Sequence, residues 1–353
     1  MRDDVKIYAL THKKYHALAD EIYVPLQVGS EGKEDLGYLR DDTGENISIE
    51  NRYFSELTGI YWVLKNAEPA EIMGVCHYRR YPLNESGSIM GAEDYRRILK
   101  DCDIITSKEI ELPVPYIEGF AADHHSRDLD ALREVLKEHF SGYYELFEEI
   151  IHDRYTYFGN IMCSSYEVFR EYHSWLFEVL FLLKEKIQGH LEDVEYDDYH
   201  RRVYGFLSEI LLYTWVRKNR LKSFESKIGI IEEKAETREL KERLAELIKK
   251  RDIDGAQKAF AEALKVRPDL LMAVSDITGE LRLTMEILAA AGLEKEHSGK
   301  SIIDDDNDLE SLLVYVKKVN AAVKDNDAVQ IKELKVSEEM MTAARAVVMR
   351  AQT

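Results

Sequence analysis

The sequence predicts an α/β layer fold with a mostly parallel sheet over residues 1–230, followed by an all-α appendage over 231–353. Three observations predict it. Short apolar runs alternate with helix-period segments through the first part. Long polar, glycine-containing segments follow the early apolar runs, where α/β proteins place ligand-binding loops. Near residue 230 the composition shifts from Tyr, Trp and His to Ala, Leu, Glu and Lys.

Taken in order, Val5–Leu10, Glu21–Val28, Glu71–His77, Asp103–Thr106 and Tyr155–Met162 have the length and the β-branched or aromatic content of short buried strands. Between and after them, Tyr53–Asn66, Ala92–Lys100, Asp128–His139, Tyr143–Asp153, Tyr166–Gln188 and Tyr199–Asn219 read as helices. The appendage reads as helices at Thr237–Arg251, Ile253–Val266, Asp269–Ala291, Asp308–Asp325 and Ala328–Ala351, with a solvated linker near 294–308. A single helix pair from Asp254 to Pro268 faintly matches a tetratricopeptide unit, but no period repeats. The appendage is expected to be an interaction module for a protein partner, with an independent catalytic unit as the alternative.

Composition excludes several classes. Forty-five per cent apolar and 33% charged residues are ordinary for a globular chain. The formal charge of −19 opposes nucleic-acid binding, which needs a concentrated basic face. No apolar run approaches the ~20 residues that span a bilayer, and no signal-like core follows Met1, so a cytoplasmic chain is expected. Cys76, Cys102 and Cys163 are scattered and give neither a disulfide framework nor a zinc set. There is no P-loop and no GxGxxG run.

In so acidic a chain, local cations are informative. Thr11, His12 and Lys13 follow the first strand and can hydrogen-bond a nucleotide; a solvated turn is the plain alternative. The second strand ends in Gln27-Val28-Gly29, where Gln27 and Gly29 are candidate donor contacts, and opens into a long polar segment to Ser48. There Asp35, Tyr38, Asp41, Asp42 and Asn46 are candidate ligands for sugar hydroxyls. The strand at Glu71–Cys76 runs into His77-Tyr78-Arg79-Arg80, whose guanidinium groups suit bidentate phosphate binding or a structural ion pair. Asn160 is a candidate sugar contact or a strand-edge turn.

The motifs Thr-His-Lys-Lys at 11–14, Asp-Leu-Gly-Tyr-Leu-Arg-Asp-Asp-Thr-Gly at 35–44, Cys-His-Tyr-Arg-Arg-Tyr at 76–81 and Gly-Phe-Leu-Ser-Glu at 205–209 occur in order. Over about 5–220 the chain resembles a bacterial family of capsular or exopolysaccharide biosynthesis glycosyltransferases. The resemblance implies a GT-A-like fold and a nucleotide-diphospho-sugar donor, with a UDP-sugar as first guess and hexosyl transfer as the class. It also implies a glycan or lipid-linked glycan acceptor, and with the latter transient contact with the inner membrane face.

Many GT-A enzymes hold a divalent metal with an Asp-x-Asp at a central strand end. Here that position carries His77, Tyr78, Arg79 and Arg80, so no cofactor is expected and a metal is not favoured. Asp101-Cys102-Asp103 precedes a strand and reads as a helix-to-strand turn. A transfer also needs a base for the acceptor hydroxyl. Glu209, in an otherwise apolar helix, is the first candidate, with pairing to Arg202 as its structural alternative; Asp123 and His124 are the others. The resemblance leads one to expect an Arg after that Glu, but Ile210 stands there. A non-catalytic nucleotide-sugar- or carbohydrate-binding protein, or an assembly protein, is the competing class.

Overall fold

The computed structural model describes residues 2–233, 235–271 and 275–350. It divides into two compact units, 1–231 and 232–353.

The first unit begins with β1 (Arg2–Thr11), β2 (Tyr23–Gln27) and β3 (Leu39–Arg40). Next come α1 (Asn51–Phe54), α2 (Leu57–Asn66), β4 (Ala70–His77), β5 (Arg80–Pro82) and α3 (Ala92–Leu99). Then follow β6 (Ile104–Ser107), β7 (Ile110–Glu111), α4 (Tyr116–Asp123), α5 (Ser126–His139) and α6 (Ser141–Ile151). The unit closes with β8 (Tyr155–Thr156), β9 (Met162–Ser165), α7 (Tyr166–Ile187), α8 (Val203–Lys218), β10 (Ser223–Ser226) and β11 (Ile228–Ile230).

The main path of the sheet runs β10-β6-β9-β4-β1-β2-β3. All its pairings are parallel except those of β9, which is inserted antiparallel between β4 and β6. This is the mostly parallel α/β architecture the alternation predicts. Both faces of the sheet are covered. Along β1, Tyr8 and Leu10 join one apolar cluster while Val5, Ile7 and Ala9 join the other. That is the period-two division of a strand buried on both sides, and it explains why β1 reads as a continuous apolar run. Helix α2 lies directly on the sheet at Gly59, where a Cβ would come within 2.5 Å of Val28 and 2.9 Å of Leu10.

Register positions the site. Thr11 is opposite Gln27, and Leu10 is opposite His77, so the carboxyl ends of β1, β2 and β4 meet along one edge.

Three elements of this unit differ from the expectation. The strand expected over Tyr155–Met162 is two short strands around a turn, because Gly159 (φ +94°) and Asn160 (φ +47°) leave the extended region. The helix expected over Tyr53–Asn66 is interrupted at Ser55 (φ +51°), with Asn51 Nδ2 donating to its carbonyl at 2.7 Å. The helix expected from Tyr199 is preceded by a 3₁₀ turn at His200–Arg202 and begins at Val203. Asp101–Asp103 is a helix-to-strand turn, Asp103 Oδ2 accepting from the Lys222 amide at 2.7 Å.

The second unit is all helical among its described residues: α9 (Ala235–Lys249), α10 (Ile253–Val266), α11 (Glu280–Ser298), α12 (Ile302–Asp305), α13 (Leu309–Lys324), α14 (Ala328–Glu333) and α15 (Glu338–Arg350). Asp252, Asp308 and Asp327 cap three of them by accepting from backbone amides two or three residues on. Segment 294–308 is not the expected solvated linker. Glu294 is buried and accepts from the Ile302 amide and the Ser337 hydroxyl, and Ile303 is fully buried. The single long helix expected at Ala328–Ala351 is two, parted at Lys335 (φ +50°), and Ala351 lies outside the described residues. Part of the helix expected at Asp269–Ala291 also lies outside them; α11 starts only after Gly279. No helix among the described residues is long and apolar enough to cross a membrane.

Candidate active site

The edge formed by the ends of β1, β2 and β4 carries an aromatic row. The rings of His12 and Tyr78 lie 5.9 Å apart, Tyr78 and Tyr15 5.3 Å, and Tyr15 and Tyr38 5.6 Å. Tyr38 clasps Tyr15, its hydroxyl accepting from the Tyr15 amide at 3.2 Å and donating to the Tyr15 carbonyl at 2.9 Å. Thr11 is buried and accepts from the Lys13 amide at 3.1 Å, which tightens the turn that presents His12 and Lys13. The Arg79 guanidinium sits 5.5 Å from the centroid of the Tyr78 ring and is almost fully buried. Arg80 is half-buried and lies beside Gly159.

Several polar residues of the loop after β2 hold the loop itself. Gln27, expected as a donor contact, is instead buried and ties down the segment, with Nε2 donating to the Glu34 carbonyl and Oε1 accepting from the Leu36 amide. Asp41, expected as a sugar ligand, is fully buried; it accepts from the amides of Gly29 and Ser30 and the hydroxyls of Ser30 and Ser48 at 2.5–2.9 Å. Its oxygens are thereby committed to the scaffold. Asp42 forms a two-point ion pair with Arg40, which holds its carboxyl below the usual carboxylate range. Asn46 donates to the Gly44 carbonyl and accepts from the Ser48 amide, and Asp35 accepts from the Gly37 amide. Asp41→Ala strands several buried donors, so it is expected to cost about 3–5 kcal/mol in urea unfolding, the range for breaking a buried charged contact. Asp35→Ala, at an exposed turn, is expected to cost under about 1 kcal/mol.

The second wall comes from late in the chain and is organised by one residue. The Gly159 carbonyl lies 2.5 Å from His77 Nε2, and the Gly159 amide donates to Glu209 Oε1 at 2.7 Å. Its neighbour Asn160, expected as a sugar contact, is instead buried and fully engaged. Asn160 Nδ2 donates to Glu56 Oε1 at 2.9 Å and to the Gly205 carbonyl, and its Oδ1 accepts from Ser208. The consecutive left-handed residues Gly159 and Asn160 thus bring His77, Glu56 and Glu209 to one place. Arg202 completes the group, with Nε donating to the Ser55 hydroxyl at 2.9 Å.

The carboxylates differ in state. Burial raises the Glu209 pKa to about 8; the nearby Glu56 charge adds to this, while the Gly159 amide, Arg80 and Arg202 oppose it. Burial also works against an ionised Glu56, but His77, Arg202 and the Asn160 amide outweigh it and hold the carboxyl below its usual range. His77 is depressed by burial, with Glu56 opposing and the guanidinium groups of Arg80 and Arg79 adding to the depression. Two neighbouring carboxyl groups whose pKa values are pushed apart can serve as the two partners of acid–base chemistry.

Asp123 and His124 lie at the end of α4. Asp123 is exposed and its carbonyl is 3.2 Å from His200 Nε2. His124 packs among Phe120, Tyr199 and Phe206, and burial, with the charges of His200 and His125, lowers its pKa to about 4. Neither Glu56 nor Gly159 stands out in the sequence, and only the tertiary fold brings Glu56 to Asn160. Among the described residues no group of three or more His, Cys, Asp or Glu side chains is placed to hold a metal ion. The end of β4 presents His77, Tyr78, Arg79 and Arg80, a set without the carboxylate oxygens that hard divalent cations take.

Comparison with known proteins bears on the fold and the family. The solved apo structure of WbbM, a bifunctional glycosyltransferase, superposes with a TM-score of 0.59 at 26% identity, over 64% of this chain. The match spans 45% of the WbbM chain, less than half its length. No curated protein sequence matches the chain at a significant level. A family model covers residues 6–220, nearly the whole of the first unit and the span over which the motifs occur. The chain therefore belongs to the family described as "Domain of unknown function (DUF4422)".

Proposed function

We propose that the chain is a glycosyltransferase that moves a sugar from a nucleotide-diphospho-sugar to a glycan acceptor in surface polysaccharide synthesis. The observation that carries this reading is the meeting of two unlike walls. Cations and rings at the ends of β1 and β4 face a Glu56–Glu209 carboxylate pair delivered by α2 and α8. The likeness to WbbM supports transferase chemistry on such a frame. The motif resemblance supports the capsular or exopolysaccharide setting, and with it a cytoplasmic chain working at the inner membrane face when the acceptor is lipid-linked. The helices of the second unit, in this reading, bind a protein partner.

In the reaction, Arg80, with Arg79 behind it, neutralises the donor diphosphate. The acceptor oxygen attacks the anomeric carbon and the bond from that carbon to the phosphate oxygen breaks, its electron pair leaving with the nucleoside diphosphate. Glu209 takes the acceptor hydroxyl proton. A base of pKa near 8 is well matched to that task. Ionised Glu56 keeps Glu209 high and steadies His77 and Arg202 around it.

Thermal unfolding with UDP, GDP, CMP and their sugars tests the reading. A nucleotide at 100 times its Kd adds about 2.7 kcal/mol of stability. Stabilisation by one nucleotide class, retained in EDTA, is expected. Loss of all stabilisation in EDTA would overturn the arginine-based diphosphate site, and no shift with any nucleotide would overturn the transferase itself.

A further inference from the structure

Helix α8 is apolar over most of its surface, and all residues from Val203 to Val216 are buried except Phe206 and Glu209. With Arg202 just before the helix, these two form a stripe at spacings of four and three, one face of the helix. The stripe is the most exposed part of this stretch. At its middle an aromatic shelf extends outward. The ring of His124 lies 4.4 Å from that of Phe206 and 5.8 Å from Tyr199, almost parallel to the latter at 13°. Tyr199 and Phe206 are 5.0 Å apart, and Phe120 backs His124 at 4.8 Å. All three outer rings are half-buried.

We propose that this shelf is the acceptor subsite, on which a pyranose ring of the acceptor glycan stacks one turn of helix away from Glu209. The inference rests on the transferase reading and adds to it the place and the chemical class of the acceptor. A pyranose presents C–H groups on its faces and hydroxyls around its rim. The faces fit the rings of Phe206, Tyr199 and His124, and the rim meets Arg202 and Glu209. Ring stacking fixes the orientation of the sugar, and the i, i+3 step from Phe206 brings an acceptor hydroxyl towards the carboxylate. The Arg202 guanidinium, 5.6 Å from the centroid of Phe206 and anchored on Ser55, closes one end of the shelf. His124 contributes as a neutral ring, since its pKa of about 4 leaves it uncharged at neutral pH.

The test uses the full chain and six probes, the methyl α- and β-pyranosides of glucose, galactose and mannose, followed by saturation-transfer NMR with UDP present. At least one glycoside is expected to bind the wild type. Its Kd is expected to rise at least tenfold in Phe206→Ala and to recover in Phe206→Trp, with nucleotide stabilisation alike in all three proteins. Should Phe206→Ala not fold, Tyr199→Ala carries the same expectation. The proposal is overturned if no pyranoside binds the wild type, or if Phe206→Ala binds as tightly as the wild type. It is also overturned if nucleotide stabilisation is what the variant loses, for the shelf would then hold the donor base. If no nucleotide stabilises the wild type while glycosides still bind through Phe206, the transferase reading falls and the sugar shelf stands.

Discussion

Replacing Glu209 by Gln is expected to lower kcat by about 10²–10⁴-fold, the usual worth of a positioned general base, with nucleotide binding little changed. In the wild type the rate should climb with pH through an apparent pKa near 8, because the carboxylate is the active form. The variant should lose that limb. Stability supplies a second, independent reading. The Glu209 pKa rises from 4.5 to about 8 on folding, so across that interval the folded chain holds a proton that the unfolded chain has released. Its contribution is fully present below about pH 4.5 and is lost as pH rises through about 8. The slope is up to about 1.4 kcal/mol per pH unit. Urea midpoints for the Gln variant should be flatter than wild type over this window. A variant that keeps full kcat would remove Glu209 from the chemistry, whatever its stability curve shows.

Arg80→Ala is expected to cost about 10²–10³-fold in transfer, comparable to removing one preorganised donor from a charge-stabilising site, and to abolish the nucleotide-dependent thermal shift. Arg80→Lys should recover only part, since an ammonium cannot reproduce the planar two-point contact with phosphate. The pair of variants separates recognition geometry from charge alone. Equal activity in the Lys variant and wild type would show that a point charge suffices. An Ala variant with normal nucleotide binding would shift the diphosphate away from the end of β4.

Much of the frame was legible because its signals are local. The strands β1, β2 and β4 are short β-branched or aromatic runs, and the position of His77, Arg79 and Arg80 beyond a strand end follows from chain order alone. Glu209 stood out as a carboxylate in an apolar helix, and the structure gives that oddity a raised pKa. What stayed hidden depends on contacts distant in sequence. Glu56 is an ordinary acidic residue at a helix start until Asn160, 104 residues later, donates to it. Asp41 and Asn160 illustrate the opposite error. A polar residue in a glycine-rich loop has the same composition whether it faces a sugar or satisfies buried amides, and only the burial of Asp41 under four donors decides between them. The break within Tyr155–Met162 carried a faint sign in Gly159-Asn160, a pair that tolerates positive φ.

The antiparallel insertion of β9 has a consequence for the birth of the protein on the ribosome. Strand β4 ends at His77 and its neighbour β9 begins at Met162, about 85 residues later. At the ~5–20 residues per second of synthesis, β4 waits roughly 4–17 s with one edge of its backbone unpaired. That edge belongs to the run Ile72-Met73-Gly74-Val75-Cys76, uncharged and buried in the finished unit. Such a strand is a template for pairing with another nascent chain. Yield in cells should therefore depend on chaperone capacity during this interval more than on the stability of the finished fold, and slowing translation between β4 and β9 should increase aggregation.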